Sequence, residues 1–335
     1  MRAHSDIPAG TLHRLPVASK ILQNNMLGDT ATREIVVYIP NGHTGKDLPL
    51  LVDLVGFTSG GPAHVNWKNF GENVPERLDR LIHEGTLRPV AVAFPDCFTK
   101  LGGNQYIDSA AMGPWATFLT TEMLDAVESR FDCGGAGKRA CFGKSSGGYG
   151  SLVHAMLHAD VWSAAACHSG DMAFELCYLP EMPSALRAIK RKGSIGAFID
   201  DFHAGPKYPG SSMHDLMTFA MAATYDPDPS APYGVRLPVD LQTCELDEAL
   251  WANWLAWDPV VMADKHTDAL KSLKGLWIDC GTIDQYNLVY GARRMTRKLN
   301  EAGVDHVYEE FEDTHSSVDY RMDKSLPFLA NALLS

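Results

Sequence analysis

The sequence predicts an α/β protein whose central sheet is mainly parallel and flanked by helices. Three observations carry that prediction. Short apolar runs bounded by glycine or proline alternate with segments whose apolar residues recur at helical spacing, and strands separated by helices pair in parallel. A chain of 335 residues, 45% of them hydrophobic, can bury one large core. Between Asp171 and roughly Leu270 the alternation stops, and proline, methionine and tryptophan take over, as in Tyr178-Leu179-Pro180, Tyr208-Pro209-Gly210 and Asp226-Pro227-Asp228-Pro229. The expected organisation is one body made of residues 1–170 and 271–335, with a cap or lid inserted at 171–270.

The opening pair of strands spans Leu12 to Ile21 and Thr32 to Ile39. Leu50 to Val55 is apolar along nearly its whole length, as a strand covered on both faces must be, and it breaks into Gly56-Phe57-Thr58-Ser59-Gly60-Gly61. A helix at Asn73 to His83, a strand at Val90 to Phe94, a helix at Pro114 to Arg130 and a strand at Arg139 to Phe142 follow. After these come a helix at Ser146 to His158 and a strand at Ala164 to His168. Beyond the insertion, Leu276-Trp277-Ile278-Asp279-Cys280 sits in a strand from Gly275 to Cys280 that ends at Gly281. Ala292, Met295 and Leu299 mark a helix from Tyr290 to Ala302 closed by Gly303, and His306 to Phe311 is the last strand. A helix at Leu326 to Leu334 ends the chain. No internal repeat or low-complexity tract appears.

Within this frame Gly143-Lys144-Ser145-Ser146-Gly147, extended by Gly148-Tyr149-Gly150, reads as a nucleophile elbow. A serine on a sharp strand-to-helix turn sits in a strained backbone, and the residues two before and two after it must nearly lack side chains. Tyr149, Leu152, Val153, Met156 and Leu157 then recur at helical spacing, so Ser145 stands at a helix N-terminus, where backbone N–H groups stabilise a developing anion.

A serine hydroxyl needs a histidine base, and that base needs a carboxylate to orient it. Asp284 lies in the loop after the Gly275 to Cys280 strand and is the expected acid. Asp279 is its rival, but inside the strand its side chain points to a sheet face and not to the loops above the strand ends. Of the 13 histidines, His315 has the required position, after the last strand and before the final helix. The backbone N–H of Ser146 and that of Phe57 are the expected oxyanion donors, and Gly56 in the same loop is an expected substrate contact.

These features resemble the esterase branch of the α/β-hydrolases, the esterase D and enterochelin esterase-like group that includes S-formylglutathione hydrolase and mycolyl transferase relatives. The carrying residues are Gly143 to Gly148, Gly102-Gly103-Asn104-Gln105-Tyr106-Ile107-Asp108-Ser109, Cys167-His168-Ser169-Gly170-Asp171, Val37-Tyr38-Ile39-Pro40, and the late Asp284 and His315. The resemblance implies an α/β-hydrolase fold and a carboxylic ester hydrolase working through an acyl-enzyme, with no cofactor. Tyr106 and Ser109 match family positions in a loop where substrates bind. Trp251 and Trp254 are the cap's candidates for lining an apolar pocket, against the plainer reading that they pack the cap onto the body.

A net charge of −12 argues against nucleic acid or an anionic membrane surface as partner, because both require clustered Lys and Arg. With no apolar run of signal-peptide length in Met1 to Gly10 and no stretch of 18 apolar residues, the chain is expected to be cytoplasmic. Seven cysteines, several of them in strands, indicate reduced buried thiols. Asp200, Asp201, His203, His214 and Asp215 match no recurrent metal spacing and read as a solvated loop, so no metal is expected. The expected partner is a small-molecule ester, and a homo-oligomer is left open. A serine peptidase or an acyltransferase uses the same triad, and a non-catalytic binding protein of this fold is the reading from another class.

Overall fold

The computed structural model describes residues 6–208, 210 and 212–335. Eight strands form the central sheet: β1 Thr11–Ala18, β2 Thr32–Ile39, β3 Leu50–Leu54, β4 Ala91–Pro95, β5 Arg139–Lys144, β6 Ala164–His168, β7 Gly275–Gly281 and β8 Val307–Phe311. Their spatial order is β1-β2-β4-β3-β5-β6-β7-β8. β2 pairs antiparallel with both β1 and β4, and from β4 to β8 every pairing is parallel. Each parallel step requires a crossover, which puts helices on both faces of the sheet.

Side-chain alternation divides the core between the two faces. Leu51, Val92, Phe94, Phe142 and Ala166 pack with α1 (Val74–His83) and, at the chain end, Leu326 and Leu329. Leu50, Val52, Cys141 and Ala165 pack on the other face with α2 (Leu124–Phe131), α3 (Ser146–Leu157) and the insertion. α1 begins with a reciprocal cap, in which the Asn73 side chain accepts from Glu76 N–H while Glu76 accepts from Asn73 N–H. A cap of this kind is worth about 1 kcal/mol.

Among the described residues the stretch between β6 and β7 holds no strand of the central sheet. It forms α4 Met182–Lys192, α5 Ile195–Ala204, α6 Ser212–Tyr225 and α7 Glu248–Leu255. The expected solvated loop around Asp200 to Asp215 is therefore largely helical. Polar residues on the outer faces hid helices whose inner faces bury Phe198, Ile199 and Phe202 in α5 and Leu216, Phe219 and Ala223 in α6. After β7 come α8, Leu288–Ala302, and α9, Met322–Leu334. α9 starts one turn earlier than its sequence pattern suggests. Burial of Met322 and Leu326 carries the helix through Pro327. Among the described residues no helix is long and apolar enough to cross a membrane.

Candidate active site

Ser145 joins β5 to α3 with φ 58° and ψ −124°, a conformation that L-residues avoid. Its neighbours explain the glycines. A Cβ on Gly143 would lie 2.0 Å from the Leu54 carbonyl oxygen, and one on Gly147 would lie 1.6 Å from the same atom. β3 thus runs so close to the elbow that side chains at either position would push the sheet apart. Ser145 N–H donates to the His168 carbonyl at 3.0 Å, and the Ser145 carbonyl accepts from Tyr149 N–H at 2.8 Å, so the strained turn is held at both ends.

Asp284 follows β7 in a tight turn, its N–H donating to Gly281 O. Asp284 Oδ1 accepts from Tyr286 N–H at 2.9 Å, and Oδ2 lies 2.8 Å from His315 Nδ1. His315 sits in the loop after β8. Its N–H donates to the Gln285 side chain at 2.9 Å, its carbonyl accepts from Lys144 Nζ at 3.0 Å, and its ring meets Tyr286 edge-on at 4.9 Å. With Nδ1 turned to Asp284, His315 has Nε2 left for the cleft that it lines with Ser145. Within the described residues the Ser145 hydroxyl makes no hydrogen bond. Burial lowers the Lys144 pKa from its ordinary value.

The rival carboxylate is engaged elsewhere. Asp279 Oδ1 lies 2.7 Å from His168 Nδ1, and His168 Nε2 lies 2.8 Å from Ser325 Oγ. Asp279 Oδ2 accepts from Trp277 Nε1 and Arg321 Nε. Burial opposes the charge on Asp279, but the cation-bearing partners and these hydrogen bonds outweigh it and lower its pKa. All three residues of this second Ser-His-Asp set are buried where α9, which carries Ser325, packs on the sheet.

The loop after β3 presents two backbone donors with differing fates. Thr58 N–H donates to Gly102 O at 2.7 Å, whereas Phe57 N–H has no acceptor within the described residues. Ser146 N–H, at the start of α3, likewise has none. The Phe57 ring lies over Gly102 and Gly103, where an added Cβ would come within 2.9 Å of it. Tyr106 Oη donates to the Val55 carbonyl at 2.6 Å. His154 in turn bonds the Tyr106 carbonyl at 2.7 Å and accepts from Trp162 Nε1 at 3.0 Å. Burial, reinforced by neighbouring His158, holds the His154 pKa down at about 4, so the ring is neutral.

The cleft has a volume of about 320 Å³ and is lined by Gly56, Phe57, Ser145 and His315, with Asp171, Cys177, Tyr178 and Leu288 at its buried end. From the insertion, Met213, His214 and Met217 of α6 roof it. Of the residues expected to contact substrate, Gly56 is on this wall. Tyr106 is not, because its hydroxyl is spent on Val55 O. Ser109 is not, because its hydroxyl donates to Ala223 O at 2.6 Å. Trp251 and Trp254 are buried behind the wall, where Trp254 packs on Tyr178 and Tyr225. The amphipathic methionine-bearing turn of α6 was the missed signal, masked by polar neighbours. All seven cysteines are free, and all but Cys244 are buried.

A family model described as "Putative esterase" matches residues 30–323. The chain belongs to this esterase family. The esterase acts on small-molecule esters and is a carboxylic ester hydrolase. Among solved structures it is similar to a ferulic acid esterase, with 19% identity, coverage of 97% of this chain and 99% of that one, and a TM-score of 0.62. It is also similar to an S-formylglutathione hydrolase (FrmB) from Staphylococcus aureus, with 15% identity, 97% and 100% coverage and a TM-score of 0.59. A fluorophosphonate-binding serine hydrolase F of the same organism gives 16% identity, 97% and 100% coverage and a TM-score of 0.57. These likenesses give the esterase an α/β-hydrolase fold. No curated protein sequence matches it.

Proposed function

We propose that the esterase works through Ser145 as nucleophile, His315 as general base and Asp284 as the carboxylate that orients it. The observation that carries this reading is the 2.8 Å contact between His315 Nδ1 and Asp284 in a cleft shared with the strained, unbonded Ser145 hydroxyl. His315 Nε2 takes the Ser145 proton as Oγ attacks the ester carbonyl. Phe57 and Ser146 N–H groups, both without acceptors among the described residues, receive the oxyanion. His315 then returns the proton to the departing alcohol, and a water molecule activated by the same imidazole releases the acid. No cofactor takes part. Apo distances between nucleophile and base are commonly long and tighten when substrate binds.

In this reading residues 171–270 form the cap over a body of residues 1–170 and 271–335, and α6 is the part that meets substrate. The free cysteines favour a reducing, cytoplasmic setting. Hydrolysis of p-nitrophenyl esters from acetate to long acyl chains, with wild type and Ser145→Ala compared, tests the proposal. Serine-dependent turnover supports it. Most of the turnover surviving in Ser145→Ala contradicts it.

A further inference from the structure

The buried end of the cleft contains an ionisable group that the triad does not use. Four lining residues can carry charge: Lys144, Asp171, His214 and His315. Lys144 Nζ is turned to the His315 carbonyl, and exposed His214 takes the Tyr286 hydroxyl at the mouth. Asp171 is the one carboxylate among them, and no Lys, Arg or His is paired with it among the described residues. Its Oδ2 accepts from Gln105 Nε2 at 2.9 Å and from Tyr178 Oη at 2.8 Å. Tyr225 Oη closes the group, 2.8 Å from Gln105 Nε2 and 3.1 Å from Tyr178 Oη.

This leaves Oδ1 without a protein partner on a residue that lines the cleft. A carboxylate removed from water without a paired cation is costly, and burial accordingly raises the Asp171 pKa while the Gln105 and Tyr178 donors and, more weakly, the field of His315 oppose the rise. Cys177, Met213, Met217 and Leu288 supply apolar lining to the same cleft. Thr58 and His214 are exposed and mark the solvent side of the cleft, and the acyl chain is assigned to its buried lining.

We propose that Asp171 Oδ1 is a recognition point for an ammonium group on the acyl chain, making esters of amino-terminated acyl groups a preferred substrate class. The proposal rests on the Ser145 reading, which decides the acyl end of the cleft. Tyr178 and Gln105 fix the carboxylate so that its free oxygen is presented without side-chain ordering at binding. Methionine walls accommodate the methylene stem that precedes the ammonium.

The test is pH-stat hydrolysis of three matched ethyl esters that end in methyl, hydroxyl and ammonium groups: heptanoate, 6-hydroxyhexanoate and 6-aminohexanoate, with the shorter homologues of each. Wild type is expected to favour one ammonium ester over its methyl counterpart by about 10- to 100-fold in kcat/KM, the hydroxyl ester falling between. In Asp171→Asn that ratio should collapse, whatever happens to the absolute rates. Equal loss on all three esters would overturn the proposal, since it would mean that Asp171 acts on folding or through His315. A wild-type preference for the methyl ester would also overturn it. Absence of hydrolysis of every ester, p-nitrophenyl acetate included, would instead sink the Ser145 reading and this one with it. A second measurement needs no variant: hexylammonium should inhibit wild-type hydrolysis of p-nitrophenyl acetate at least about 10-fold more tightly than 1-hexanol. Equal inhibition contradicts the proposal.

Discussion

Among the described residues two serines stand with a histidine and an aspartate, and the better-bonded set is not the one proposed to do chemistry. Ser325, His168 and Asp279 are joined by contacts of 2.8 and 2.7 Å, whereas Ser145 has no hydrogen bond to His315. The difference lies in everything around the three residues. Ser325 is fully buried in a regular helix, and Arg321 neutralises Asp279. Ser145 faces a cleft from a strained turn, beside two N–H groups that lack acceptors among the described residues. A triad is recognised by access and by the oxyanion donors as much as by its own hydrogen bonds.

The largest expected contrast comes from removing each hydroxyl. Ser145→Ala should lower kcat by at least about 10⁴-fold with little change in Tm. Ser325→Ala should leave kcat within a few-fold and cost about 1–3 kcal/mol of stability, because His168 Nε2 loses its buried partner. Steady-state kinetics and urea unfolding of both variants check this, and loss of turnover in Ser325→Ala would erase the distinction.

The two carboxylates sharpen it. Asp284→Asn should reduce kcat by about 10³- to 10⁴-fold with the fold retained, since the imidazole loses its orienting charge. Asp279→Asn should instead destabilise the protein by about 3–5 kcal/mol, as it removes the buried anion that His168 Nδ1 and Arg321 Nε contact and leaves Arg321 with Glu309 alone. Chemical denaturation beside pre-steady-state kinetics separates the outcomes, and matching kinetic defects would contradict the assignment.

A third histidine gives a pH signature. The folded-state pKa of His154, about 4, lies below its unfolded value near 6.5, so its contribution to stability is complete above pH 6.5. It is lost as pH falls toward 4, amounting to about 3 kcal/mol. His154→Gln, which keeps an N–H for the Tyr106 carbonyl, should flatten the fall of the urea midpoint across that window. Parallel profiles for the two proteins would refute this account.

The smallest effect concerns the loop that supplies Phe57 N–H. Tyr106→Phe frees the Val55 carbonyl and should lower kcat by about 10-fold with KM little changed, as expected where donors act on the transition state. A rise in KM with kcat intact would mean that Tyr106 touches substrate after all.

The sheet was readable because its strands are apolar runs punctuated by glycine, and β2 and β6 fall on their expected limits. Ser145, Asp284 and His315, the proposed triad, were singled out for a related reason: each lies just past a strand end, where side chains reach a common edge. Tyr106 and Ser109 were expected at the substrate but brace its walls, and Trp251 and Trp254 follow the plainer of their two readings, because residues near a site look alike in sequence whether they touch substrate or support it. The roof formed by Met213, His214 and Met217 was not legible, since the helical pattern of α6 mixes buried and polar residues and proline-rich segments flank it. Asp171 stood in a recognised run, but its role depends on Gln105 and Tyr178 from distant segments, which no local pattern reveals.

The central claim is that Ser145, and not Ser325, is the nucleophile. Peptide mapping by mass spectrometry after treatment with a fluorophosphonate tests it most directly. One adduct is predicted, on Ser145, and it should disappear in His315→Ala while Ser325 remains unlabelled. A label on Ser325, or undiminished labelling in Ser145→Ala, would contradict the account.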